Sequence, residues 1–215
     1  MNERINTGIY SFSKHSCKNG IKKRLFKLMT DHEIVTALIN NDSSVLDYGC
    51  GDCHFFDYLK TKKTNLNMIG YDLDKKYVEI GKKKMYLVVS SLENIKQKFD
   101  FIVSNQVVEH MNVIDLSKFF KKSYDLLKMD GKLIISTLNG DEFYSIINIW
   151  DDPTHVRPYN KTSLENAASY FNFKIIKIIK HHIRVNPLKI LVNMVLGGSV
   201  YSGITLIFEK IEKNI

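Results

Sequence analysis

The sequence predicts an open, mostly parallel α/β sheet with helices on both faces. Three observations carry this. From about residue 44, short runs rich in Val, Ile and Leu alternate with polar–apolar stretches of helical period, which implies parallel strands joined by right-handed crossovers. An apolar run closes on Asp47 and passes through Gly49 and Gly51 into a helical stretch, the strand–loop–helix order of an α/β unit. The last two strand candidates lack a full crossover helix between them, so one of the pair is expected to run antiparallel.

Residues 1–42 read as an N-terminal helical cap or lid, because Ile21, Leu25, Leu28 and Met29 recur at helical spacing. Residues 43–215 read as the main domain, the whole forming one compact unit. Strands are expected over 44–48, 67–71, 86–90, 99–104, 132–137, 173–179 and 203–209, where β-branched and aromatic residues cluster between turn formers. Helices are expected over 53–60, 75–84, 114–127, 142–149 and 162–170. Asp74 and residues 160–162 have the chemistry of helix starts, and Asp130-Gly131 reads as a turn between helix and strand. Residues 190–208 carry no charge, a length that can span a bilayer. Asn193, the Gly197-Gly198 pair, Ser199, Ser202, Gly203 and Thr205 split that run, so a short helix, a turn and a terminal strand account for it better. The cations before it (Lys174, Lys177, Lys180, Arg184, Lys189) leave peripheral contact with a membrane surface open.

Composition narrows the partners. The chain has 215 residues, 44% hydrophobic and 25% charged, which excludes a mainly disordered or collagen-like protein. Its net charge is +8, but 27 of the 31 cations are Lys, and Ile and Asn are abundant too, a bias expected of an AT-rich coding sequence. Only Arg4, Arg24, Arg157 and Arg184 could read phosphates or guanine edges in the bidentate way, so nucleic acid is not an expected partner. Three cysteines are too few for a disulfide framework, and the first residues lack the apolar run of a secretory signal. A cytoplasmic location is expected.

The chemistry concentrates in two places. In Val45-Leu46-Asp47-Tyr48-Gly49-Cys50-Gly51-Asp52-Cys53 an apolar strand turns through two glycines, where a backbone without side chains lets a ligand come close. Asp72 ends the next strand 21 residues after Gly51, where its carboxylate can accept hydrogen bonds from ribose hydroxyls. Cys50 and Cys53 also make a C-x-x-C, but no second cysteine pair accompanies them, and two small residues packed in a loop explain them better than a redox or zinc pair. The second place is Trp150-Asp151-Asp152-Pro153-Thr154-His155-Val156-Arg157-Pro158-Tyr159, a rigid polar and aromatic segment suited to a substrate rim. The plainer reading of it is a salt-linked loop that anchors the following helix.

Residues 45–53 resemble the first motif of class I S-adenosylmethionine-dependent methyltransferases, and Asp72 matches that family's ribose-binding acid. Ser90–Ile95 resembles the adenine-side segment, Phe99–His110 the fourth strand with its Glu-His pair, and Leu126–Ile135 the helix, turn and fifth strand. Two departures stand out: Cys53 replaces the third loop glycine, and Ser91 stands where an acid is usual. The resemblance implies a Rossmann-like seven-stranded sheet in the order 3-2-1-4-5-7-6, with S-adenosyl-L-methionine as cofactor. Asp47, Gly49, Gly51, Asp72, Leu73, Ser91, Leu92, Asn105 and Gln106 would then bind it. Glu109, His110 and His155 are the candidate catalytic residues, with Arg157, Trp150 and, from a closing N-terminal segment, Tyr10 as candidate substrate contacts. No residue is assigned as a metal ligand. A divalent metal near Glu109 and His110 is compatible with the resemblance to ubiquinone-type O-methyltransferases but is not required. Among the partners a small-molecule acceptor is expected, with O-methylation of a sugar or glycan precursor favoured. An amino sugar and a quinone or aromatic precursor remain alternatives, and the oligomeric state is open. An NAD-dependent dehydrogenase would need Gly where His54 stands, and 105–108 is not the Pro-Pro-aromatic motif that grips a flipped base.

Overall fold

The computed structural model describes residues 31–142, 149–181, 195 and 201–212. Its strands are β1 (Ser44–Tyr48), β2 (Asn67–Tyr71), β3 (Leu87–Val89), β4 (Phe99–Asn105), β5 (Leu127–Leu138), β6 (Phe173–His181) and β7 (Gly203–Lys210). Its α-helices are α1 (Asp31–Leu38), α2 (His54–Lys60), α3 (Lys75–Lys83), α4 (Val113–Leu126) and α5 (Lys161–Tyr170). The strands form one sheet in the order β3-β2-β1-β4-β5-β7-β6, as the resemblance implies. β1 to β5 pair in parallel, and β7 runs antiparallel to both β5 and β6.

The central strands are apolar along their length because both faces are covered. Alternate residues divide between two cores: Leu46, Ile102, Leu133 and Ile135 pack with Phe119 and Phe120 of α4, while Val45, Val103 and Ile134 pack with Val35 of α1 and Phe55 and Phe56 of α2. Helix starts follow their capping side chains. Asp74 accepts the Lys76 N–H at 2.8 Å, Asn112 accepts the Asp115 N–H at 2.9 Å, and Asn160 and Ser163 form a reciprocal capping box.

Four expectations are corrected or fall wholly or partly outside the described residues. The turn expected at Asp130-Gly131 lies inside β5, which starts at Leu127 where α4 stops. Leu127 is buried and pairs with buried Phe99, so its burial draws the segment into the sheet early, and the surplus residues appear as a register shift between Phe99 and Phe101. The helix expected over 142–149 falls mainly on 143–148, outside the described residues, and Ile149 opens a 3-10 turn, Ile149–Asp151. Of the cap expected over 1–42, residues 1–30 with Tyr10 lie outside the described residues. The described part holds α1, whose Asp31 accepts a hydrogen bond from Gln106 Nε2 at 2.8 Å and lies 3.3 Å from His181 Nδ1. In the apolar run 190–208, residues 203–208 belong to β7, and 190–194 and 196–200 lie outside the described residues. No helix among the described residues is long and apolar enough to cross a membrane.

Candidate active site

The loop after β1 is stapled to the end of β2. The N–H groups of Gly49 and Cys50 both donate to the Tyr71 carbonyl, at 2.7 and 3.0 Å. The Gly51 N–H donates to Asp72 Oδ2 at 2.9 Å, and Asp72 Oδ1 accepts the Asp74 N–H at 2.9 Å. Both glycines have positive φ, +83° at Gly49 and +50° at Gly51, which L side chains rarely adopt. They differ in surroundings. A Cβ on Gly49 would lie 2.6 Å from Val107, whereas one on Gly51 would meet nothing within 4 Å among the described residues. Gly51 therefore presents bare backbone to open space. Cys53, where the family pattern has its third glycine, also takes a left-handed conformation, φ 63°, and is fully buried. Its sulfur packs toward Gly81 of α3, so a glycine on the neighbouring helix makes the room.

Beside this loop is a cavity of about 200 Å³ lined by Asp47, Gly49, Cys50 and Asn105, with His32 of α1 and Asp52, His54 and Phe55 completing the wall. Asp47 is 2% exposed, and burial, reinforced by Cys53 and Asp72, pushes its carboxyl well above the usual carboxylate range. The Asn105 side-chain oxygen and nitrogen are buried without a hydrogen-bond partner among the described residues. Gln106 next to it has φ 52° and spends its amide on Asp31. Leu73 is exposed, Ser91 is exposed and accepts the Glu93 N–H at 3.3 Å, and Leu92 is buried in the larger core. His32, Asp52, His54 and Phe55 were not assigned from sequence. Three of these adjoin the glycine loop, and that adjacency was a usable signal; His32 reaches the cavity only through the packing of α1.

A second cluster lies four residues beyond Asn105, at the same carboxyl edge of the sheet. Glu109, His110 and His155 offer ligand atoms that all lie within 4.8 Å of one another. The two imidazole rings stand 4.6 Å apart at 48°. Glu109 is buried and its Oε2 accepts the Thr137 hydroxyl at 2.9 Å; burial lifts its carboxyl to about 7 against those hydrogen bonds. Burial pushes His110 below its ordinary value. His110 Nδ1 lies 3.1 Å from the Thr154 carbonyl and 2.9 Å from its hydroxyl, which itself donates to Asp152 at 2.6 Å. His155 Nδ1 lies 2.7 Å from the Ile149 carbonyl. Carbonyl oxygens only accept, so in each ring Nδ1 is the nitrogen that donates to the carbonyl.

The polar segment 150–159 is tied to this cluster by backbone: the N–H groups of Val156 and Arg157 donate to the Glu109 carbonyl at 2.8 and 3.4 Å. Arg157 is exposed and stacks over the Tyr159 ring at 4.9 Å, while the Tyr159 hydroxyl donates to the Met111 carbonyl at 3.0 Å. Trp150 and Val156, which flank His155 in the chain, and Val113 and Ile114, which follow His110, are all exposed.

The sequence pattern of the methyltransferase domain matches residues 21–178. A ubiquinone biosynthesis O-methyltransferase of Pelagibacter ubique (strain HTCC1062) is 36% identical over 104 residues, covering 44% of this chain and 42% of that protein. A malonyl-[acyl-carrier protein] O-methyltransferase of Priestia megaterium (strain DSM 319 / IMG 1521) is 27% identical over 122 residues, covering 54% and 44%. The match thus spans less than half the length of these curated relatives. The crystal structure of a SAM-dependent methyltransferase from Archaeoglobus fulgidus has a TM-score of 0.64 at 23% identity, covering 86% of this chain and 96% of that one. Mycolic acid cyclopropane synthase CmaA1, solved with SAH and CTAB, has a TM-score of 0.62 at 16% identity, covering 83% and 84%. These structures share the fold, and the matched domain takes in most of the chain. The chain belongs to the class I S-adenosylmethionine-dependent methyltransferases.

Proposed function

We propose that the protein transfers the methyl group of S-adenosylmethionine to a hydroxyl of a small-molecule acceptor. The observation that carries this reading is the pairing, on one sheet edge, of a bare-backbone loop at Gly51 with the Glu109–His110–His155 cluster. The residues fit the cofactor. Among the described residues, nothing stands within 4 Å of where a Gly51 side chain would lie, and the buried Asn105 amide has no hydrogen-bond partner. Asp47 and Asn105 would hold the amino-acid end, and Asp72 the ribose, with Leu73, Ser91 and Leu92 beside the base. When bound, S-adenosylmethionine supplies an electrophilic methyl carbon on a cationic sulfur. The protein's share is to align the acceptor oxygen with that carbon and to take the hydroxyl proton. In this reading the Glu109–His110–His155 cluster receives the hydroxyl.

For the acceptor we favour a hydroxylated aromatic or quinone-type precursor over the sugar expected from sequence. Support comes from the exposed apolar Trp150, Val156, Val113 and Ile114, all within five residues of the two histidines in the chain, and from the relatives that bear the ubiquinone O-methyltransferase name. Arg157, set on the Tyr159 ring, remains available for an acidic group on either kind of acceptor.

Calorimetric titration with S-adenosylmethionine and, separately, NAD tests the cofactor. Saturable binding of the first alone is expected, and binding of NAD alone would overturn the reading. Methyl transfer to catechol-type acceptors but not to nucleotide sugars would support the acceptor assignment, and the opposite preference would reverse it.

A further inference from the structure

We infer that Cys50 and Cys53 are a redox pair, and that their closure to a disulfide by a small peroxide weakens cofactor binding at the glycine loop. The consequence rests on the proposed function; the thiol chemistry does not. The sequence alone favours simple packing for this C-x-x-C, and the backbone argues otherwise. Cys53 has a left-handed φ of 63°, a conformation that glycine adopts without strain and a side chain does not. Glycine there would relieve the loop, so the thiol is kept at a conformational cost.

The turn holds the two residues at bridging distance. The Cys53 N–H donates to the Cys50 carbonyl at 2.9 Å, which closes a four-residue turn. The end Cα atoms of such a turn lie within about 7 Å, and a disulfide needs about 4.4–6.8 Å. The side chains converge as well: Cys50 Sγ lies 3.9 Å and Cys53 Sγ 4.0 Å from the same Gly51 carbonyl oxygen. Each sulfur sits where a glycine leaves room, Cys50 beside Gly70 of β2 and Cys53 beside Gly81 of α3. A Cβ at either glycine would also meet the same Val88 methyl group, so the two sulfurs occupy one niche.

Access and charge suit the step. Cys50 lines the cavity beside the loop, while Cys53 is fully buried behind it. The hydrogen bond between the two thiols, helped by the Lys84 ammonium, holds Cys53 below its ordinary value against burial. Lys84 is fixed there by the Asp52 carbonyl at 2.7 Å and Asp57 Oδ2 at 2.6 Å. Cys53 therefore serves as the base for Cys50. The Cys50 sulfur attacks a peroxide oxygen while its proton crosses to the Cys53 thiolate; the O–O bond breaks and hydroxide leaves. The Cys53 sulfur then attacks the sulfenic sulfur of Cys50, the S–O bond breaks, and water departs with the Cys53 proton. The two sulfurs together give up two electrons, and the peroxide is reduced to hydroxide and water. A disulfide has no S–H to donate. The Gly51 carbonyl thus loses both thiols, and its peptide, whose N–H is held by Asp72 at 2.9 Å, is re-aimed.

The test uses the full chain, reduced with dithiothreitol, freed of it and exposed to hydrogen peroxide. Peptide mass spectrometry should find Cys50 joined to Cys53, lighter by two hydrogen atoms, and dithiothreitol should reverse the change. Oxidation should weaken S-adenosylmethionine about tenfold or more by calorimetry and speed amide exchange at Gly51, and dithiothreitol should restore both. Cys53→Ser should abolish the bridge and slow the reaction of peroxide with Cys50, because the base is gone. Cys17→Ser removes the third thiol of the chain and should keep the whole response. Loop thiols that peroxide leaves unjoined, a bridge from either of them to Cys17, or a 50–53 bridge that leaves affinity or exchange unchanged would overturn the inference. A reduced protein that binds no S-adenosylmethionine would strike the proposed function instead, and amide exchange at Gly51 would still decide whether the bridge moves the loop.

Discussion

The Asp72 carboxylate accepts the Gly51 N–H at 2.9 Å, and its other oxygen accepts the Asp74 N–H at 2.9 Å. One side chain thus holds the glycine loop against the end of β2 and shapes the start of α3, besides being the proposed ribose acceptor. Asp72→Ala should therefore have two effects. Loss of charge-assisted hydrogen bonds should weaken S-adenosylmethionine about ten- to a hundredfold. The two N–H groups left without their acceptor should also lower the melting temperature of the free protein. Calorimetry and thermal melts separate the effects; weaker binding with an unchanged melt would mean that the staple contributes nothing to stability.

The two loop glycines should separate stability from binding. Gly49→Ala forces a side chain into φ +83° and within 2.6 Å of Val107, so it should cost about 1–3 kcal/mol from backbone strain alone. Adding Val107→Ala should recover the part due to the clash and leave the part due to φ. Gly51→Ala meets no atom of the described residues, so its methyl group occupies the open side of the loop. A smaller stability loss with a larger loss of cofactor affinity is expected there. Denaturant melts and titrations of the three variants check the order, and equal stability losses at 49 and 51 would contradict it.

What could be read from sequence follows from what local chemistry demands. Gly49, Gly51 and Asp72 were readable because the loop needs positive φ and a carboxylate at a strand end, and few residue types supply either. The sheet order came with the resemblance rather than from periodicity. Leu127 was misjudged because its burial against β4 is a tertiary effect that overrides the turn chemistry of Asp130-Gly131. His32 was missed for a similar reason: α1 reaches the cavity through packing and through the Gln106–Asp31 hydrogen bond, 75 residues apart in the chain. His110 and His155 could each be nominated singly. Their meeting, and the hydrogen bonds of their Nδ1 atoms to the Thr154 and Ile149 carbonyls, needed the fold.

Asp47 should make cofactor binding pH-dependent. Burial holds its carboxyl well above the usual range, so the free protein keeps it partly protonated at pH values where an exposed aspartate would be ionised. The ammonium and sulfonium charges of S-adenosylmethionine favour the ionised carboxylate, so binding should expel a proton. Affinity should then rise with pH until Asp47 is ionised in the free protein. Titrations in buffers of different ionisation enthalpy measure that release directly, and Asp47→Asn should abolish it. Unchanged proton release in Asp47→Asn would assign the proton to another group.

Asp100 should set part of the acid limit of stability. It joins three strand starts: its Oδ2 accepts the Ser44 N–H at 2.8 Å and hydroxyl at 2.7 Å, and Lys128 of β5 donates to both of its oxygens at 2.9 Å. Partial burial pushes its carboxyl upward, but the hydrogen bonds from Lys128 and Ser44 outweigh this and hold it below the ordinary value. A carboxyl with a depressed folded-state value stabilises above its unfolded value, about 3.9, and loses that contribution as pH falls through the folded one. Asp100→Asn should accordingly lower the melting temperature at pH 7 and approach wild type below about pH 4, where protonation removes the same charge from Asp100. Melting curves of both proteins from pH 7 to pH 3 test this. A constant gap across that range would mean that Asp100 acts through its shape and hydrogen bonding rather than through its charge.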